Sequence, residues 1–134
     1  MSTELFYLTL TALLTGCLWI PYVIGLVQAR GLPKAHDYVH APTSELPDWV
    51  NRANRAHLNA VENLAPFAVL VLVAHDLGIS TQITAMCATI FFFARLLHAL
   101  VHIGGVSMLK ARTLIFTVGW LCFIVFAVET LRSV

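Results

Sequence analysis

The residues able to do chemistry in this sequence are few, and their spacing is helical. Arg52, Arg55, Asn59 and Glu62 stand at i, i+3, i+7 and i+10, which lines them along one stripe of a helix, with His57 beside it. Arg95, His98 and His102 form a second stripe at i, i+3 and i+7, and Phe91, Phe92 and Phe93 make an aromatic wall one turn deeper. Arg112 opens a third apolar stretch. Glu62 lies about 15 Å along its helix from Arg52 and Arg95 about 12 Å from the end of its own, so these two can meet at similar depth. Such a pair could do no more than fix helix packing, but Arg55, Arg95 and Arg112 against the single Glu62 leave roughly two positive charges without a protein partner. An anionic ligand is their natural complement. A metal is not: His98 and His102 are at i, i+4, but their helix offers no third carboxylate or thiolate and arginines surround them.

The elements that must carry these groups are membrane spans. Of 134 residues 59% are hydrophobic and 11% charged, and the mean hydropathy is +0.82. Soluble domains carry about 25% charge, and a 15 kDa globule could not bury this much apolar surface behind so thin a polar coat. The formal net charge of +1 excludes a nucleic-acid-binding surface. Cys17, Cys87 and Cys122, one to each of three apolar stretches, are neither a disulfide framework nor a zinc site and read as small buried hydrophobes. The N-terminus lacks the positive region of a signal peptide, so the run that follows it reads as a retained span.

Leu5 to Val27 contains no charge and suffices to cross a hydrocarbon core about 30 Å thick. Gly31, Pro33, Pro42 and Pro47 keep the next segment, with His36 and His40, from forming a long helix. A second span opens at Asp48, which suits an N-cap, and closes at Gly78. A third ends at Gly104 and Gly105, and a fourth holds no charge between Arg112 and Glu129. The sequence thus predicts a single all-α domain over 1–134, an integral membrane four-helix bundle with helices at about 3–29, 48–76, 80–104 and 108–131. Arg30, Lys34, Arg52 and Arg55 flank the first connection and Lys110 and Arg112 the third, while the second has no Lys or Arg. The positive-inside rule then places both termini outside and the polar constellation toward the cytoplasm. Trp19, Trp49 and Trp120 read as interface anchors or lipid-facing bulk.

Three segments carry a family resemblance. R-A-N-R-A-H-L-N-A-V-E-N-L-A-P-F, residues 52–67, F-A-R-L-L-H-A-L-V-H, residues 93–102, and A-R-T-L, residues 111–114, resemble the helix-two, helix-three and helix-four signatures of MAPEG, the membrane-associated proteins in eicosanoid and glutathione metabolism. The first is closest to the microsomal glutathione transferase branch. The resemblance implies a homotrimer in the lipid bilayer that takes glutathione as co-substrate at subunit interfaces and a hydrophobic small molecule from lipid. Position by position it implies that Arg55, His57, Asn59 and Glu62 bind the glutathione peptide, that Arg95, His98 and His102 line the same site, and that Arg30 reaches in from a neighbouring chain. Arg112 falls on the arginine that stabilises the thiolate and is the implied catalytic residue. His98 and His102 depart from the pattern, since glutathione-using members often have tyrosines there. The implied activity is a multi-pass membrane glutathione transferase or peroxidase, in the plasma or inner membrane if the source is prokaryotic, acting on hydrophobic electrophiles. The alternative is a non-catalytic lipid-binding or scaffold member. A small multidrug transporter fits poorly, because it needs an unneutralised acid and Glu62 is ringed by arginines.

Overall fold

A computed structural model describes residues 1–39, 45–106 and 109–134, and these residues are helical, with no strand among them. Helix α1, Thr3–Cys17, starts at Ser2, whose hydroxyl accepts from the Leu5 amide at 3.3 Å. It stops at Leu18, and α2, Trp19–Arg30, carries the chain on. Pro21 accounts for the break, since it has no N–H for the carbonyl of Cys17 and its ring crowds that turn. Together the two make one span of 28 residues. A short 3-10 turn, Ala35–Tyr38, follows, held by the Lys34 amide donating to Asp37 at 2.8 Å. His40 and Pro42 of the expected connection lie outside the described residues, as does Met108, the expected start of the last span.

Helix α3 is Asp48–Asp76 and runs through Pro66 without a break. Its N-cap is Pro47 and not Asp48, which sits inside the first turn, where its charge favours the helix dipole. Helix α4, Gln82–Ile103, begins with a reciprocal capping box between Thr81 and Thr84. Helix α5 is Leu109–Arg132. The four spans, α1 with α2, α3, α4 and α5, are each long and apolar enough to cross a bilayer, so the fold is an all-α membrane four-helix bundle and the protein an integral multi-pass one.

Helix α4 is the centre of the bundle. It packs most extensively on α5 and also on α1 and α3, and its buried face alternates alanines with Cys87, Phe91, Arg95 and His98. Without a hydrophobic force between helices in lipid, close packing is the main glue. Phe67 of α3 stacks on Phe91 with centroids 3.8 Å apart and planes 11° apart, and Phe126 of α5 meets Phe67 edge-on at 5.8 Å. Cys87 and Cys122 are buried together in this core, whereas Cys17 is exposed, so the expectation of three buried thiols holds for two. Trp49 is not lipid-facing bulk: its ring and Val50 press against Gly25 of α2, where any side chain would collide with them. Large apolar residues such as Leu13, Val69, Leu100 and Leu114 are exposed around the outside, as lipid contact requires.

At the end of the bundle where α1 and α4 begin, Glu4 is buried and accepts hydrogen bonds from Thr84 and, at 3.0 Å, from Ser80. This charge is closed off inside the protein, and the opposite end is left for chemistry.

Candidate functional site

That opposite end gathers the start of α3, the end of α4 and the start of α5. Arg52 ties the first two together: its Nε donates to the carbonyl of Ile103 at 3.3 Å, and its guanidinium lies over Gly105. Gly105 has φ +67 and no Cβ, which is what lets the planar group come so close. The tie brings the start of the first sequence stripe against the end of the helix that carries the second. His98 and His102 sit one turn apart with ring centroids at 5.6 Å, and Phe116 of α5 packs 6.1 Å from His98. Between α4 and α5 these residues enclose an open cleft of about 270 Å³ lined by His98, His102, Arg112, Thr113 and Phe116. Among the described residues, none of Arg52, Arg55, Arg95 and Arg112 has a carboxylate within 4.0 Å. A site with this donor set suits an anion held by forked, charge-assisted hydrogen bonds.

Arg95 lies behind the cleft and departs from expectation. It does not pair with Glu62. Its guanidinium turns toward α5, where Nη2 donates to the carbonyl of Phe116 at 3.2 Å and Cζ sits 5.0 Å from the Phe116 ring and 5.4 Å from that of Phe91. The residue is only 4% exposed, yet Nε and Nη1 have no hydrogen-bond partner among the described residues. Glu62 is exposed on α3, and so is Arg55. The reason is register: the buried stripe of α3 is Ala53, Ala56 and Ala60, and the polar stripe precedes each of its members by one residue, about 100° around the helix.

The other candidates divide in the same way. Asn59 is half-buried and its carbonyl accepts from Asn63 at 2.7 Å. His57 is half-buried, and its Nδ1, like that of His102, is enclosed without a hydrogen-bond partner among the described residues. Arg30 closes α2 and lines a separate pocket of about 230 Å³ with Tyr22, Gly31 and Asp37, which shares no residue with the His98–Arg112 cleft. Within one chain, therefore, His98, His102 and Arg112 share one cleft, Arg52 is tied to the end of α4 beside it, Arg95 stands one ring behind, Arg55 and Glu62 are exposed on α3, and Arg30 lines a separate pocket.

Sequence reasoning passed over Phe116 and Gly119. Phe116 falls four residues after Arg112, the spacing that puts it on the same face, and this signal was available. Gly119 carries the closest approach to Arg95, and a glycine within an uncharged span is the only mark it leaves in the sequence. A second, apolar groove of about 320 Å³ runs along α4 and α5 between Ile90, Phe93, Leu97, Leu114 and Val118.

A family model described as MAPEG family matches residues 5–132. No curated protein and no solved structure matches the chain. A match over nearly the whole length, on a bundle of four membrane-spanning segments with most of its cations toward one end, makes the chain a member of the MAPEG family, membrane proteins associated with eicosanoid and glutathione metabolism.

Proposed function

We propose that the protein is a membrane glutathione transferase or peroxidase of the microsomal glutathione transferase branch, working on hydrophobic electrophiles. The observation that carries this reading is the cleft lined by His98, His102 and Arg112, beside the end of α4 to which Arg52 is tied, with no carboxylate at ion-pair distance from these arginines among the described residues. Glutathione brings two carboxylates, one ammonium and one thiol. The buried Nε and Nη1 of Arg95, unmet by the described residues, fit the same ligand. Arg55, His57, Asn59, His98 and His102 are the peptide-holding set.

Glu62 and Arg30 complete the site from a neighbouring copy in a homotrimer. An exposed carboxylate on a membrane-spanning helix costs at least about 2.5 kcal/mol in lipid, which favours a protein or ligand partner for that face. Glu62 is the acceptor for the ligand ammonium. The positive-inside count puts the cleft toward the cytoplasm, and labelling of single cysteines placed at Lys34 and His75 tests that orientation.

Arg112 does the catalytic work. A glutathione thiol near pKa 8.5–9 is mostly protonated at pH 7, and lowering it by two units takes about 2.7 kcal/mol of preferential thiolate stabilisation. Arg112 sits in the first turn of α5, where its guanidinium and the unpaired backbone N–H groups both favour an anion. The apolar groove between α4 and α5 offers the electrophile a lipid-side approach. The same groove supports the second reading, a lipid-binding member without catalysis.

Calorimetric titration of glutathione into the detergent-solubilised protein, followed by an ultraviolet scan for thiolate, separates the two. Saturable binding with thiolate absorbance and turnover supports the transferase. Saturable binding without either leaves the lipid-binding reading in its place, and no binding removes the glutathione site altogether.

A further inference from the structure

Arg95 is held from one side by Gly119. This residue is buried on the face of α5 that meets α4, three positions after Phe116, so the Phe116 carbonyl and the bare Gly119 backbone lie on one ridge of the helix. A Cβ built on Gly119 would collide with Nη2 of Arg95 and stand 3.0 Å from Cζ and 3.1 Å from Nε. The three heavy atoms nearest that position all belong to this guanidinium, so a Cβ there is accommodated only by moving the guanidinium off its place on α5.

We infer that Gly119 is a positioning residue for Arg95: its missing side chain is the slot in which the guanidinium lies flat on α5, tethered through Nη2 and presenting Nε and Nη1. The inference rests on the glutathione reading above and adds to it the residue that sets where Arg95 points. Two of its premises are independent of that reading. Glycine in a helix interior is a poorer choice than alanine, so a glycine in mid-span needs a local reason, and the three atoms nearest a Cβ at 119 all belong to Arg95. An arginine with three nitrogens enclosed and one of them bonded is also oriented by something other than its hydrogen bonds.

The two explanations of Gly119 differ in whether its effect depends on residue 95. If it were only a packing residue, its effect would not depend on what stands at 95. If it positions Arg95, then Gly119→Ala displaces the guanidinium, and removing that guanidinium removes the harm. The test is a double-mutant cycle of Gly119→Ala and Arg95→Met, with glutathione titrated calorimetrically into each detergent-solubilised variant and thermal unfolding recorded alongside. Gly119→Ala is expected to weaken glutathione binding about tenfold when Arg95 is present, the scale of one charge-assisted hydrogen bond, and to cost no further affinity in the Arg95→Met background. Gly16→Ala, at a helix position open to its surroundings, is the control and leaves affinity unchanged. If Gly119→Ala fails to fold, recovery of folding in the double variant supports the inference, and failure of both overturns it. An equal loss in the two backgrounds also overturns it. Wild type that binds glutathione beside an indifferent Gly119→Ala sinks the role of Gly119 alone, whereas wild type that binds no glutathione sinks the proposed function and this role with it.

Discussion

Two ends of this bundle enclose charge, and they enclose it differently. At one end Glu4 is 3% exposed, with hydroxyls of Ser80 and Thr84 turned onto it and the N-terminal turns of α1 and α4 beside it. Every need of that carboxylate is met by the chain. Toward the other end Arg95 is as deeply buried, yet two of its three nitrogens have no partner among the described residues, and the Nδ1 atoms of His57 and His102 are enclosed in the same condition. Arg52 alone is fully explained, as the tie between α3 and the end of α4. The difference separates architecture from function. A buried charge that the fold satisfies is a staple, and one whose partners the fold withholds is a place for something else to bind.

The contrast can be broken or sharpened at four positions. The largest effect is expected from Phe67→Ala, which removes the stacked ring between α3 and α4 and should cost about 3–5 kcal/mol of stability in detergent, without weakening glutathione binding by the protein that remains folded. Next comes Arg112→Ala. Its folding and glutathione affinity should stay close to wild type while conjugation of a small aromatic electrophile slows by about 10², with the bound thiol titrating at higher pH in the rate profile. Lysine at 112 should recover part of that loss, having the charge but not the fork. Glu62→Gln should weaken glutathione by about 1–3 kcal/mol through the lost bond to the ammonium, and unchanged affinity in the folded protein would count against its assignment. The smallest effect belongs to Glu4→Gln, about 1 kcal/mol of unfolding free energy with no change in glutathione binding. A binding defect there would erase the distinction between the two ends.

How much of this was legible in the sequence depends on the range of the interaction. Hydropathy and helix-ending glycines are local, and they carried the four spans and the turns at Gly78 and Gly105. The break at Leu18 was also local, but Pro21 lies in a charge-free run that reads as one span. Helical spacing put His98 and His102 on the same stripe as Arg95, which is where they sit. What spacing could not give was which way each stripe faces. A stripe is a direction around one helix, and only packing against neighbours turns Arg95 inward to the Phe116 carbonyl while leaving Glu62 outside. The Glu4 staple was hidden for the same reason, since its donors are about eighty residues away in the chain.

The length of α3 has a consequence in the direction perpendicular to the membrane. Its 29 residues rise about 44 Å, against a hydrocarbon layer of about 30 Å. The surplus is about nine residues, and they belong at the polar end, where Asp48, Arg52 and Arg55 occupy the first turns, because the far end of the helix is apolar almost to Asp76. Arg52 and Arg55 thus stand at headgroup height, among phosphates and water, while Glu62, two to three turns further along, stands below the interface in the oily layer. The helix works as a vertical ruler. On the proposed function, a water-borne peptide spans these marks from Arg55 down to Glu62 and so comes within reach of a lipid-borne molecule.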